Sequence, residues 1–179
     1  ANEYDALDLR NSYGEDKKNI MKLMELKDYI CNDSSIVVSN YKNIEEPYSL
    51  KCNLKIKPDV INDKIYFFPF INETITKNPL KQTENLYNID LIYSQKRTLN
   101  SVISIPEGYK VEFVPENLSI TNEMLDIIYS VKKNDKNVVI TFQYYLKKSV
   151  YQAKDYTKLK YYFGEIVKKG NEKVVLSKI

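Results

Sequence analysis

Histidine and tryptophan are both absent from this 179-residue chain, and glycine occurs only four times. Without histidine there is no Cys–His or Ser–His nucleophile pair and no usual zinc site. Nor is there a side chain that titrates unperturbed near neutral pH. Gly14, Gly108, Gly164 and Gly170 are isolated from one another. They cannot build a GxGxxG turn or a phosphate loop, so nucleotide chemistry is not expected. No run approaches the roughly 20 apolar residues that a membrane-spanning helix needs. An excess of one charge is missing as well: 27 Lys and Arg against 24 Asp and Glu leave a net +3. The lysines are scattered, so no polybasic stripe suited to nucleic acid forms. The pairs Lys147-Lys148 and Lys168-Lys169 are expected at solvated edges and a helix end. The chain opens at Ala1 without a charged-then-apolar leader, as expected of a processed protein or an excised fragment.

What is present is a globular composition, 43% hydrophobic and 28% charged. A chain of this length can bury roughly 70% of the surface its unfolded form exposes, so it needs neither metal nor disulfide to fold. The two cysteines, Cys31 and Cys52, fit no close-spaced metal pattern. They are either one disulfide of an oxidising compartment or two small buried hydrophobes. The second reading is preferred, with Cys31 ending a helix and Cys52 inside a strand.

From Tyr4 to Cys31 the periodicity predicts helix, with Gly14 separating a short turn at Tyr4–Leu9 from a main helix through Ile20, Leu23, Met24 and Lys27–Cys31. Glu15 and Asp16 fall where a first turn favours negative charge. Strands are then predicted over Ile36–Tyr41, Tyr48–Lys57, Ile65–Phe70, Tyr87–Tyr93, Thr98–Ile105 and Tyr109–Val114. A long hairpin follows, Leu125–Val131 with Val138–Tyr145, turning at Asn134 and Asp135. A second helix starts at Asp155 as N-cap and carries Tyr156, Leu159, Phe163, Ile166 and Val167 on one face. Lys168-Lys169-Gly170 stops it, and Lys173–Lys178 is a last strand. The fold class expected is mainly β with two helices: an antiparallel β-sandwich, immunoglobulin-like or larger, capped by an N-terminal and a C-terminal helix. The chain reads as one domain, 1–179. A sub-boundary, if present, falls in the polar 72–85 loop, dividing 1–71 from 86–179.

Candidate sites are few. The 16 tyrosines include the pairs Tyr144-Tyr145 and Tyr161-Tyr162, which could stack on sugars or bases. Neighbours on a strand face opposite ways, so Tyr144 and Tyr145 cannot form one platform. Glu45-Glu46 and Glu15-Asp16 are paired acids, but they sit at a turn and a helix start rather than across a cleft. Asn32, Asn72 and Asn117 begin N-x-[ST] triplets, expected as chance matches in an Asn-rich chain. In "IPEGYKVEFVP", residues 105–115, Pro106 is expected second and Gly108 fourth in a β-turn that makes a hairpin corner, with Pro115 ending the strand. No catalytic, cofactor-binding or metal-ligating residue is assigned, and no cofactor is expected.

The order of "IPEGY" (105–109), "VP" (114–115), a long hairpin, "YTKLKYYFGEI" (156–166) and "VVLSK" (174–178) resembles a known family. So do "ALDLR" (6–10) and "YFFPF" (66–70). It is similar to the C-terminal domain of unknown function that follows the transglutaminase-like domain in exported multidomain proteins of Gram-negative bacteria. The family's Cys, His and Asp belong to the central, cysteine-protease-like domain, and no position here matches them. The resemblance implies a non-catalytic accessory domain that scaffolds that core or binds a partner or substrate chain, in a periplasmic, cell-surface or secreted bacterial protein. Its expected partner is the transglutaminase-like domain of the same parent chain. The alternative is a glycan- or peptide-binding module using exposed tyrosines. The family's first strand, expected ahead of "ALDLR", is missing, which implies an open sheet edge near Ala1.

Overall fold

The computed structural model describes residues 3–25, 30–55, 58–71 and 74–179. The chain divides into two compact units, Ala1–Lys57 and Pro58–Ile179.

The first unit holds α1 (Glu3–Ser12), α2 (Lys17–Glu25), β1 (Ile30–Cys31), β2 (Val37–Ser39), β3 (Ser49–Lys51) and β4 (Leu54–Lys55). Two helices stand where one main helix was expected. The Asp16 carboxylate caps the second, accepting the backbone N–H of Lys18 at 2.9 Å, so the acid acts just before the first turn and satisfies an otherwise orphan donor. Ile30 and Cys31 do not continue a helix. They pair antiparallel with Lys55 and Leu54, because β-branched and sulfur side chains suit a strand wherever a partner strand is available. The expected strand at Tyr48–Lys57 is interrupted at Cys52 and Asn53, yet its alternation survives: Leu50, Cys52 and Leu54 are half-buried while Lys51, Asn53 and Lys55 are exposed. Residues 56 and 57 and the Cys31 side chain lie outside the described residues, and with them the choice between a Cys31–Cys52 disulfide and two buried cysteines.

Arg10 pins this unit together. Its guanidinium donates to the carbonyls of Asn40, Asn43 and Glu46 at 3.3, 3.1 and 2.6 Å, and it lies 5.8 Å from the Tyr48 ring centre. The Tyr48 hydroxyl in turn donates to the Gly14 carbonyl at 2.8 Å. A planar fork with several donors can gather three loop carbonyls, which a single ammonium does poorly.

The second unit comprises β5 (Asp59–Ile61), β6 (Lys64–Phe67), β7 (Ile89–Asp90), β8 (Gln95–Ser104), β9 (Tyr109–Phe113), β10 (Leu118–Thr121), β11 (Leu125–Lys133), β12 (Asn137–Leu146), β13 (Val150–Tyr151), α3 (Tyr156–Gly170) and β14 (Val174–Lys178). The chain is therefore mainly β with three α-helices, and every strand pair is antiparallel among the described residues. One four-stranded sheet runs β10-β11-β12-β8, another β5-β6-β14-β9, and β13 pairs with β7. The long hairpin is in register from Leu125 opposite Leu146 to Lys133 opposite Val138. Its turn does not use left-handed backbone at Asn134 or Asp135. Instead the Asn134 side-chain oxygen accepts the N–H groups of Lys136 and Asn137 at 2.9 and 2.8 Å. Left-handed backbone does build a hairpin that the sequence reading missed: Asn62 and Asp63, at φ 49° and 60°, join β5 to β6 in a two-residue turn of the kind that matches strand twist.

The inward rows of both four-stranded sheets share a core with α3. Leu125, Ile127 and Tyr129 of β11, Ile140 and Phe142 of β12, Leu176 of β14 and Leu159 and Ile166 of α3 are all buried in it. Each such aliphatic or aromatic side chain contributes roughly 1.5–3 kcal/mol on burial. Asp155 occupies the cap position of α3, but its carboxylate makes no capping bond, and a 3-10 turn over Ala153–Asp155 leads into the helix instead. Gly170 is the helix's last residue. A Cβ there would lie 2.8 Å from the Cβ and Oγ1 of Thr74, so the glycine permits close passage of a neighbouring segment. That segment is strapped along α3 rather than looping free. Asn78 donates to the Lys160 carbonyl at 2.8 Å, the Tyr156 hydroxyl to Gln82 O at 3.0 Å, and Asn171 to Thr76 O at 3.2 Å.

The 105–115 stretch turns one residue later than expected. Tyr109 N–H donates to Pro106 O at 3.1 Å, which puts Gly108 third, at φ +79°, the position where a type II turn requires a positive angle. Nor is it a hairpin corner. β8 pairs with β12 and β9 with β14, so the segment carries the chain from one four-stranded sheet to the other.

Candidate binding surface

The buried ionisable groups are committed to structure. Lys169, expected at a solvated helix end, is only 6% exposed. Its ammonium donates to Glu116 O and Glu172 Oε2, both at 2.8 Å, and lies 5.1 Å from the Tyr129 ring centre. The sequence carried a signal for this: Lys169 falls three residues after Ile166, on the apolar stripe of α3. The Tyr129 hydroxyl is buried with no hydrogen-bond partner among the described residues. Burial, and then the negative charge of Glu172, push its ionisation well above the ordinary tyrosine range. Lys147 directs a hydrogen bond to Asn122 O at 2.6 Å and holds Asp126 Oδ1 at 2.8 Å by charge. Tyr151 donates to Met124 O at 2.9 Å. Lys169 and the half-buried Lys147 thus have fixed partners among the described residues.

A different part of the surface is open. Beside β13, Glu123, Lys148, Val150, Gln152, Lys154 and Asp155 line a hollow of about 270 Å³. Two acids and two lysines balance its charge, and an amide lies between them. Such a lining can hydrogen-bond peptide-like groups but offers no activated nucleophile. Next to it lie the apolar tips of the 86–92 segment, with Leu86 84%, Tyr87 79% and Ile92 79% exposed. Their proximity follows from the backbone: Val150 pairs with Asp90, Leu91 N–H donates to Ser149 O at 2.7 Å, and Ala153 N–H donates to Asn88 Oδ1 at 3.2 Å. Ile92 is held at φ +69°, with its N–H given to Asp90 Oδ1 at 2.7 Å. Left-handed backbone at a β-branched residue costs roughly 1–3 kcal/mol, so tertiary contacts hold this tip in a shape it would not adopt alone.

Of the residues weighed from sequence, Tyr144 is buried and Tyr145 half-buried on the other face, as strand alternation requires. Tyr161 and Tyr162 meet edge-to-face at 5.5 Å. Glu45, Glu46, Glu15 and Asp16 are exposed and converge on no cleft. Asn32 Oδ1 accepts from Ser34 N–H at 3.1 Å, serving its own turn, and Asn117 Oδ1 accepts from Val131 N–H at 2.7 Å, tying the start of β10 to β11. Asn72 lies outside the described residues. No group of three or more potential metal ligands occurs among the described residues, and no described helix is long and apolar enough to cross a membrane. The hollow and the tips were not anticipated. The one local signal was Leu86-Tyr87 standing as an apolar pair within a polar run.

Geometry of this kind defines a mainly β domain of antiparallel sheets around a shared core, with an apolar-tipped polar hollow on its surface. Residues 63–176 match the family described as a Domain of Unknown Function with a solved structure, DUF3858, and with well over half of its length matched the chain belongs to that family. No curated protein matches the chain. Among solved structures it is similar to one described as the "crystal structure of a putative protease" from Parabacteroides distasonis ATCC 8503. The TM-score is 0.48 and the identity 11%, covering 54% of this chain and 19% of that one. The chain thus spans about a fifth of that structure's length.

Proposed function

We propose that the chain is a non-catalytic accessory domain of a longer exported bacterial protein with a transglutaminase-like core, and that it binds that core or a partner chain. On this reading the two four-stranded sheets form a β-sandwich, and the site of action is periplasmic, at the cell surface or secreted. The observation that carries the binding role is the set of exposed apolar side chains Leu86, Tyr87 and Ile92, the last on left-handed backbone, in the segment beside a charge-balanced hollow. Large apolar side chains this exposed suit a protein contact, and the strained backbone at Ile92 adds to that reading. The histidine-free sequence and the structural commitment of its buried cations support the absence of catalysis. The test is deletion of this segment from the parent protein, read as folding and activity of the remainder. Loss of either is expected, and unchanged behaviour in both refutes the role.

A second reading draws on Tyr87 and Tyr161, the large aromatics most open to solvent among the described residues, as a stacking surface for glycans. Glycan-array binding that disappears in Tyr87→Ala or Tyr161→Ala would favour it over a protein partner.

A further inference from the structure

The edge of the sheet β10-β11-β12-β8 is unusual in its length and in its lack of protection. β8 pairs with β12 from Gln95 opposite Leu146 to Ser104 opposite Asn137 without a break. Among the described residues no strand lies on its other side. The remaining edges of the four-stranded sheets are shorter, with 3 residues in β5, 4 in β10 and 5 in β9, and the register of β9 shifts at Val175/Leu176. Edge strands are normally blunted by shortness, bulges, proline or charge, because their free N–H and C=O groups template another strand. β8 has ten residues and no proline, and from Thr98 to Ser104 it carries no charge. Val102, on its outward row, is 69% exposed.

We infer that β8 is an interface for a second copy of this chain, each β8 pairing antiparallel with the other across a two-fold axis at Asn100. Residues opposite each other in a ladder must share a face, and this axis satisfies that. On the solvent face Lys96 meets Ser104 and Thr98 meets Val102. On the core face Arg97 meets Ile103 and Leu99 meets Ser101. Both basic residues lie at one end of the strand, so antiparallel pairing carries them to opposite ends and sets no like charges against each other. The β-branched Thr98 and Val102 form favourable cross-strand pairs. Leu99 and Ile103, already packed against the core, would face Ser101 and Arg97 of the other copy, so the apolar contact at the junction rests on Thr98 and Val102. The product is an eight-stranded sheet whose outer edges are the short β10 strands.

The experiment is sedimentation of the full chain over a concentration series, comparing wild type with Val102→Lys and Val102→Thr. Wild type and Val102→Thr are expected to dimerise, with Val102→Lys weakened roughly tenfold or more. Amide exchange of wild type supplies a second measurement that needs no variant: the outward amides between Thr98 and Ser104 should slow as concentration rises. A wild type that stays monomeric to about 1 mM overturns the inference. So does a dimer that Val102→Lys leaves intact. If Val102→Lys fails to fold, the exchange measurement decides alone, and concentration-independent exchange across β8 overturns it.

Discussion

Replacing Tyr129 with Phe should stabilise the second unit, against the usual direction for a change in a core. The ring packs edge-on against Phe70 at 6.2 Å and tilted on Phe142 at 5.3 Å, and Phe keeps those contacts. What is lost is a buried hydroxyl with no hydrogen-bond partner among the described residues. An unsatisfied group of that kind costs roughly 1–3 kcal/mol, while the oxygen-sized gap left behind costs a few tenths of a kcal/mol at about 24 cal/mol per Å³. The net expectation is a gain of about 1 kcal/mol, seen as a rise in Tm of roughly 4 °C for a unit of this size. Thermal unfolding followed by circular dichroism measures it. The alkaline limb gives an independent reading. In the unfolded chain the phenol ionises near pH ~10, whereas in the fold burial and Glu172 hold it protonated well above that. Stability from this group is therefore intact below about pH 10 and is lost as pH rises further, at up to about 1.4 kcal/mol per pH unit. Burial also raises Tyr144 and Tyr151, so the wild type should unfold steeply in alkali and Tyr129→Phe less steeply. A Phe variant destabilised by more than about 1 kcal/mol would show that the hydroxyl has a partner after all. An unchanged alkaline slope would refute the assignment of the titration.

Gly170→Ala places a methyl group 2.8 Å from Thr74 and should cost about 1–3 kcal/mol in chemical denaturation, with Thr74→Gly in the same chain restoring most of it. At Gly108 space is open and only the angle of +79° objects. Gly108→Val should therefore cost about 1–2 kcal/mol, Gly108→Asn much less, and neither should alter partner binding in the folded protein. Arg10→Lys cannot span three carbonyls and should destabilise the first unit by about 2 kcal/mol. Proteolysis in the 40–46 segment would report the loss.

The sequence by itself determined the elements whose neighbours lie close along the chain. The 3.6-residue stripe of Tyr156, Leu159, Phe163 and Ile166 specifies α3, and β-branched and aromatic runs on either side of a polar turn specify β11 and β12. The absence of histidine likewise ruled out whole classes of chemistry before any fold was known. Tertiary structure decided what depends on distant partners. Ile30 and Cys31 leave the helical pattern because Leu54 and Lys55 offer a ladder. Lys169 goes inside because Glu172, its neighbour three residues on, and the distant Glu116 carbonyl meet its charge there, and the second of these no local rule foresees. The 105–115 stretch has the composition of a hairpin turn, yet it crosses between sheets, because strand pairing is settled by which edge can bury the apolar row. The exposed tips at 86–92 and the open edge of β8 are surfaces left over when the sheets and α3 have closed on their shared core. Such remainders belong to the assembled fold, and no window of sequence contains them.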